Sequence, residues 1–263
     1  MTASYALTDS FTMLRRNLRR MRRYPMIFYI AGIPVVLLLL FVYVFGGTLG
    51  AGLGGSGSRA DYVAYVTPGI LAITVAGAGL GAAISVAMDM NEGIIARFRT
   101  MAISRASVLV AHVIANVIQI MLAIAIVIVV ALVIGFRPTT GPVEWILAAG
   151  LLALTALAIT WLSVALGMVS KSVESASNLP LPLQLLPFFG SGFVPTESMP
   201  EPLRVFADNQ PFTPIIETLR GLLFGTPIGD RWVFAIAWCL VITVVGYLWA
   251  MRLYNRDPAP SGS

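Results

Sequence analysis

Long apolar stretches, separated by short polar segments, follow one another along most of the chain. Six of them approach the length of about 20 residues that a helix needs to cross a bilayer. The stretches are residues 26–46, 65–88, 108–134, 145–169, 176–193 and 232–251. The pattern predicts an all-α integral membrane protein with six transmembrane helices, organised as a single domain over residues 1–263.

An amphipathic helix is predicted before the first span, over residues 1–24. Apolar residues from Leu7 to Met21 recur at the spacing of one helix face, and arginines between Arg15 and Arg23 occupy the other faces. Such a helix lies in the membrane interface, where arginine is attracted to anionic lipid. The alternative is that these arginines only fix the orientation of the first span.

Residues 195–225 are too polar to cross a bilayer and too apolar for an ordinary solvated loop. Prolines divide them into two helical pieces, 200–208 and 211–223, each of which is too short to span. Charged side chains keep both pieces near an aqueous boundary. We expect two short re-entrant helices that act as a gate. The residues predicted for the gate are Phe193, Pro195, Pro200, Pro211, Glu217 and Arg220.

The fifth span is interrupted by prolines at 180, 182 and 187. Each proline lacks an N–H donor and disturbs the preceding turn, so the stretch 176–193 is predicted to be a kinked helix. Gln184 lies near its middle, where its amide group can bond the carbonyl oxygens that the prolines release.

One face of the third span is polar, because His112, Asn116 and Gln119 are four and three residues apart. Two interpretations remain open. The side chains form hydrogen bonds between helices, or they line the cytoplasmic half of a substrate path together with Gln184. A metal site is not expected, because the histidine has no second ligand at a suitable spacing.

Small residues at Gly77, Gly81 and Ser85 recur every four positions in the second span. They lie on one helix face and predict a close approach by another helix, within the bundle in preference to a dimer contact.

Composition narrows the class further. The 263 residues are 58% hydrophobic and 11% charged, with a mean hydropathy of +0.87, whereas soluble domains are about 25% charged. The net charge of +5 is better explained by cytoplasmic positive charge than by nucleic-acid binding. With one histidine, one cysteine and no G-x-x-x-x-G-K-[ST] loop, we expect neither a catalytic site nor an ATPase site in this chain.

The distribution of Lys and Arg predicts the orientation. If the N-terminus is cytoplasmic, twelve of these residues lie inside and five lie outside. This asymmetry favours six spans with both termini in the cytoplasm. It also places the stretch 195–225 on the outer face, so the predicted gate is an outer gate.

Four motifs, in this order and spacing, resemble the C-terminal signature of ABC-2 type permeases, in particular the branch of the daunorubicin-resistance exporters. The motifs are Phe193-Val194-Pro195, Met199-Pro200, Asn209-Gln210-Pro211 and Leu219-Arg220-Gly221-Leu222-Leu223.

The connection 89–107 carries an apolar stripe beside charged residues, which predicts a short amphipathic helix at the membrane surface. In the family that the chain resembles, this position is the cytoplasmic coupling helix that contacts the ATPase. Residues 97–105 look like its signature, although Ala102 stands where the family usually has proline, which leaves the end of this helix open. The resemblance assigns the contact to Glu92, Gly93, Arg97, Phe98, Arg99 and Arg105.

The resemblance implies a permease of the plasma membrane that exports an amphipathic or hydrophobic compound, such as a drug, an antibiotic or a lipid-like molecule. The implied partners are a cytoplasmic ABC ATPase, a second copy of this or a similar permease, and membrane lipid. ATP and Mg would be bound by the ATPase, and no cofactor by this chain.

A stand-alone secondary transporter or channel is the alternative. Such proteins usually contain internal repeats and charged residues near the membrane midplane. No repeat relates the two three-span halves, and the predicted span interiors contain no Asp, Glu, Lys or Arg. A neighbouring reading frame for a Walker-type ATPase would favour the exporter.

Overall fold

The computed structural model describes residues 26–48, 59–92 and 105–255, and every regular element within these ranges is helical. Side chains are described from residue 30 and, after the second gap, from residue 109. In chain order the α-helices are α1 (Met26–Leu40), α2 (Arg59–Asn91), α3 (Arg105–Val133), α4 (Pro142–Val169), α5 (Val173–Asn178), α6 (Leu181–Leu185), α7 (Glu201–Asn209), α8 (Phe212–Phe224) and α9 (Arg231–Asn255).

Five helices of the described chain are long and apolar enough to cross a membrane. Four of them are α2, α3, α4 and α9, and the fifth is α1 with its continuation to Thr48. They coincide with five of the six predicted spans. The continuation of α1 includes a π-helical turn, Phe41–Phe45. The helix α2 begins six residues before the predicted span and also extends beyond its other end.

The fifth predicted span, 176–193, is divided into shorter helical pieces and is not one continuous helix. The structure has α5, α6 and a 3-10 turn at Leu186–Phe189 in its place. Pro180 is the N-cap of α6, and Pro187 lies in the first turn of the 3-10 segment. Prolines fit the start of a helix and disrupt its interior, so each begins a new piece. We call residues 173–193 the broken segment.

The broken segment runs antiparallel to α2. Its residue Gln184 lies beside Gly77, and Gly192 lies beside Gly69. Eight residues of α2 correspond to about 12 Å of helix, and α5 packs against α2 as well. The broken segment therefore follows a long part of α2 without forming a long helix.

Close contacts between helices depend on small residues on more than one face of α2. A Cβ atom at Gly79 would lie 2.5 Å from Ser163 Oγ and 2.9 Å from Ile159 Cγ2, both on α4. Gly167 of α4 packs directly on the backbone of Ala83. The predicted face of Gly77, Gly81 and Ser85 meets the broken segment at Gly77, where an added Cβ would lie 3.4 Å from Gln184 Nε2, whereas α4 approaches α2 at Gly79 and Ala83.

The centre of the fold is formed by α2 and α4, against which most other helices pack. The outermost long helix is α9, which packs mainly along α4. A Cβ at Gly246 of α9 would lie 2.7 Å from the backbone nitrogen of Leu162. Large apolar side chains on the other faces of α9, such as Phe234 and Val241, are exposed. Such a surface suits contact with lipid.

Candidate functional site

Arg220 of α8 connects three segments at one end of the bundle. Its Nη2 donates hydrogen bonds to the carbonyl oxygens of Ser191 at 2.8 Å and Tyr65 at 3.3 Å. Its Cζ lies 4.0 Å from the centre of the Tyr65 ring. The Tyr65 hydroxyl donates to the same Ser191 oxygen at 3.0 Å. One guanidinium thus joins α8, α2 and the end of the broken segment.

Two further charges lie beside this contact. Glu217, one turn before Arg220, forms an ion pair with Arg231 at the start of α9. The distance between Arg231 Nε and Glu217 Oε2 is 2.9 Å. We call Tyr65, Ser191, Glu217, Arg220 and Arg231 the Arg220 cluster. Two guanidiniums and one carboxylate give it an excess of positive charge, since arginine stays protonated in proteins.

Burial shifts both titratable groups of α8 toward their neutral forms. Burial raises the pKa of Glu217, and the positive charges of Arg231 and Arg220 partly oppose this shift. Burial also lowers the pKa of Arg220, while Tyr65 and Glu217 act in the opposite direction. The charges of the cluster are therefore partly desolvated and depend on one another for stabilisation.

The Asn209-Gln210-Pro211 motif joins the two short helices α7 and α8. The buried side chain of Gln210 accepts the Phe212 N–H at 3.0 Å and donates to Thr213 Oγ1 at 3.1 Å. The Thr213 hydroxyl in turn donates to the carbonyl of Ala207 in α7. One glutamine therefore satisfies a free N–H at the start of α8 and fixes the corner between the helices.

The other end of α8 is held by the loop between α3 and α4. The Thr140 hydroxyl donates to the carbonyl of Leu222 at 2.7 Å, and the Thr139 hydroxyl donates to that of Phe224 at 3.1 Å. Gly225 ends the helix with φ of 69°, a left-handed conformation that glycine adopts without strain. The position of α8 is therefore set at both ends and at Arg220.

The residues predicted for the gate fall into two groups. Phe193, Glu217 and Arg220 lie at the same end of the bundle. The Phe193 ring is buried, stacks on Phe188 at 5.2 Å and lies 4.5 Å from the Phe41 ring in the π-helical turn of α1. Pro195, Pro200 and Pro211 are instead the N-caps of the 3-10 turn Thr196–Ser198, of α7 and of α8.

The polar face of α3 lies between helices. His112 Nε2 is 3.0 Å from Asp89 Oδ2 of α2. Asn116 Nδ2 donates to Thr160 Oγ1 of α4 at 3.0 Å, and Gln119 is buried. Gln184 lies elsewhere, with its amide beside Gly77 on α2. The structure therefore joins the three α3 residues to α2 and α4 and places Gln184 in a separate contact.

The predicted ATPase contact falls mostly outside the described residues. Gly93, Arg97, Phe98 and Arg99 lie there, and the side chain of Arg105, the first residue of α3, is not described. Glu92 follows the last turn of α2 and is exposed. The role of these six residues stays a prediction.

Four residues of these sites were not predicted from the sequence. Asp89 stands one residue past the predicted end of the second span. An acidic residue next to a long apolar stretch is a sequence signal that its carboxylate has a polar partner. Thr160 carries no sequence signal for Asn116, because a threonine in a helix can equally bond a carbonyl of its own helix. Tyr65 and Ser191 carry no sequence signal for Arg220, because they lie 155 and 29 residues away from it.

Comparison with known proteins relates the chain to one family. The ABC-2 type transporter family matches residues 8–224. The chain is 26% identical over 258 residues to the daunorubicin resistance ABC transporter permease protein DrrB1 of Streptomyces coeruleorubidus, covering 97% of this chain and 88% of that protein. It is also 26% identical over 219 residues to the probable doxorubicin resistance ABC transporter permease protein DrrC of Mycobacterium tuberculosis, covering 80% and 76%.

Proposed function

Because this chain belongs to the ABC-2 type transporter family, we propose that it is the membrane-spanning permease of an exporter whose ATP is hydrolysed by a separate subunit. The family match carries this proposal, since it covers residues 8–224, from the predicted interfacial helix through α8. The five long apolar helices support a multi-pass membrane protein. A cytoplasmic ABC ATPase and a second permease copy complete the proposed assembly.

The proposed cargo is an amphipathic or hydrophobic compound. Two relatives carry the names of resistance to daunorubicin and doxorubicin, which supports a drug-like or antibiotic substrate for this chain. Lipid-like molecules belong to the same chemical class. The compound would leave the cell through the plasma membrane, with both termini of the permease in the cytoplasm.

The broken segment is proposed as the sixth crossing of the membrane. The antiparallel course of this segment along α2, from α5 to the contact between Gly192 and Gly69, supports this role. Residues 190–193 at the end of the segment are buried, and irregular backbone is tolerated at membrane depth where it is buried in protein.

The Arg220 cluster is proposed as the lock of the outer gate. Moving α8 away from α2 and the broken segment requires breaking the contacts of Arg220 with Tyr65 and Ser191. Moving the broken segment away from α1 requires separating Phe193 from Phe41. Several contacts of this kind form one unit that is either closed or open. The push that opens it would come from the ATPase through the predicted coupling loop 89–107 and the predicted interfacial helix 1–24.

Purification from the native membrane tests the proposal. We expect a soluble subunit with a Walker A loop to remain bound at near one to one, and the complex in vesicles to transport cargo only with ATP and Mg. If the chain is recovered alone, and transport continues without ATP but stops when the ion gradient collapses, the proposal of an ATP-driven exporter is wrong.

One observation favours the second candidate, a secondary transporter. Asp89 and His112 form a buried pair of ionisable groups between α2 and α3, and such pairs occur on proton and ion paths. The same vesicles separate the candidates, because an ionophore abolishes gradient-driven transport and leaves ATP-driven transport intact.

A further inference from the structure

The carboxylate of Asp89 occupies an unusual place for an acid. It lies in the last turn of α2 and its side chain is 1% exposed. The C-terminal end of a helix carries partial negative charge and disfavours a carboxylate. Burial disfavours the charge further. The helix α2 therefore gains nothing by itself from an acid at this position.

One partner of Asp89 is on the next helix. His112 Nε2 lies 3.0 Å from the carboxylate, and the His112 side chain is only 10% exposed. Apolar residues next to the pair on both helices, Val86, Leu109 and Val113, belong to a buried cluster that also includes parts of α4 and α9. The pair is therefore a close contact of two ionisable groups beside an apolar cluster.

A buried pair of this kind specifies geometry more than it stabilises. Replacing such a pair with apolar residues is often neutral for stability, whereas a polar contact in an apolar layer can fix the register of two helices. Apolar packing alone permits α2 and α3 to slide or rotate slightly past one another. A pair whose atoms lie 3.0 Å apart resists such a movement, because separating the two side chains would take this contact away from a buried carboxylate.

The position of the pair relative to the chain suggests its role. The helix α2 ends at Asn91, two residues after Asp89, and α3 begins at Arg105, seven residues before His112. The pair thus lies at the base of the connection between these helices, within about 10 Å of both of its ends. A displacement of that connection reaches both helices next to the pair.

We propose that Asp89 and His112 form a clamp that makes α2 and α3 move as one body when the connection between them is pushed. The two residues act as positioning residues, which transmit movement and do not contact ATP. The transmission of force rests on the proposed function, whereas the clamp itself is a property of the permease alone.

Distance measurements test the clamp without the ATPase. Spin labels are attached at Met90→Cys and Ile114→Cys, both exposed positions, in a Cys239→Ala background in lipid nanodiscs. We expect a narrow distance distribution in the parent, a distribution about twice as wide in Asp89→Asn, and a narrow one again in the reversed pair Asp89→His with His112→Asp. An unchanged width in Asp89→Asn overturns the clamp.

His112→Leu is the second single variant, because leucine can neither donate nor accept a hydrogen bond. It should broaden the distribution at least as much as Asp89→Asn, and an unchanged width would contradict the clamp. In the complex with its ATPase, Asp89→Asn should lower the cargo exported per ATP by about fivefold or more, a typical size for coupling between sites, while ATPase binding stays unchanged. The reversed pair should restore the ratio.

The two arms separate the failure of the clamp from the failure of the proposed function. If the parent complex shows no ATP-dependent export, the proposed exporter function is contradicted. The distance distributions still test the clamp in that case, because they are measured without the ATPase. A purely local role of the pair in folding would lower export and ATP hydrolysis together and leave their ratio unchanged, which would contradict force transmission.

Discussion

At the end of the bundle where the Arg220 cluster lies, single side chains each contact several partners. Arg220 alone makes two hydrogen bonds to carbonyl oxygens and a contact with the Tyr65 ring. Hydrogen bonds of charged groups contribute about 1.5–3 kcal/mol each. We expect Arg220→Gln to lower the free energy of unfolding by about 2 kcal/mol or more, measured by denaturant titration in mixed micelles.

Arg204→Gln is the matched control for that prediction. Arg204 lies in the neighbouring helix α7, and its 3.8 Å ion pair with Asp208 involves a side chain that is 52% exposed. Exposed pairs of this kind contribute less than about 1 kcal/mol. An equal effect of the two substitutions would show that Arg220 is no more than a surface arginine.

At the scale of elements, the broken segment is positioned by backbone contact with α2. A Cβ at Gly69 would lie 2.7 Å from the carbonyl oxygen of Gly192 and 2.8 Å from its Cα. Alanine gains up to about 1 kcal/mol of helix propensity over glycine, but overpacking costs about 1–3 kcal/mol and backbone atoms cannot rotate away. We expect Gly69→Ala to destabilise the protein and to lower export.

Gly150→Ala distinguishes the packing effect from the change in helix propensity. Gly150 lies within α4, and nothing is found within 4 Å of an added Cβ. The same change there should be neutral or slightly stabilising, because only the propensity term acts. A loss of stability at Gly150 as large as that at Gly69 would contradict the contact as its cause.

At the scale of the whole molecule, the number of membrane crossings depends on whether the broken segment crosses the membrane. It is the only part of the chain between Lys171 and Thr226 that we propose to cross, and both of these residues are exposed. In a Cys239→Ala background, we expect an impermeant maleimide added to intact cells to label Thr226→Cys, and to label Lys171→Cys only after permeabilisation. Labelling of both positions from the same side would exclude the sixth crossing.

Much of the fold could be predicted because each long apolar stretch satisfies its own backbone hydrogen bonds as a helix. Five predicted spans coincide with long helices on this ground. The broken segment is predictable only in part. Its prolines indicate that the helix is interrupted, but the number of pieces depends on how well α2 supports a chain that lacks its own hydrogen bonds.

The candidate sites were predictable only in part. His112, Asn116 and Gln119 share one face of α3 because of helical periodicity, and this is readable from spacing alone. That His112 contacts Asp89, and Asn116 contacts Thr160, depends on how α2 and α4 lie against α3. Helix spacing specifies a face, but it does not specify which residue of another helix the face will meet.

The sequence by itself determined the membrane class, the long helices, the positions of the proline breaks and the family. These follow from local hydrophobicity, from the missing N–H of proline and from motif order, each of which acts within a few residues. Only the tertiary structure decided that Arg220 bonds Tyr65, 155 residues away, and that Gly69 meets Gly192. Such contacts depend on the relative positions of whole helices, which result from the packing of many side chains at once.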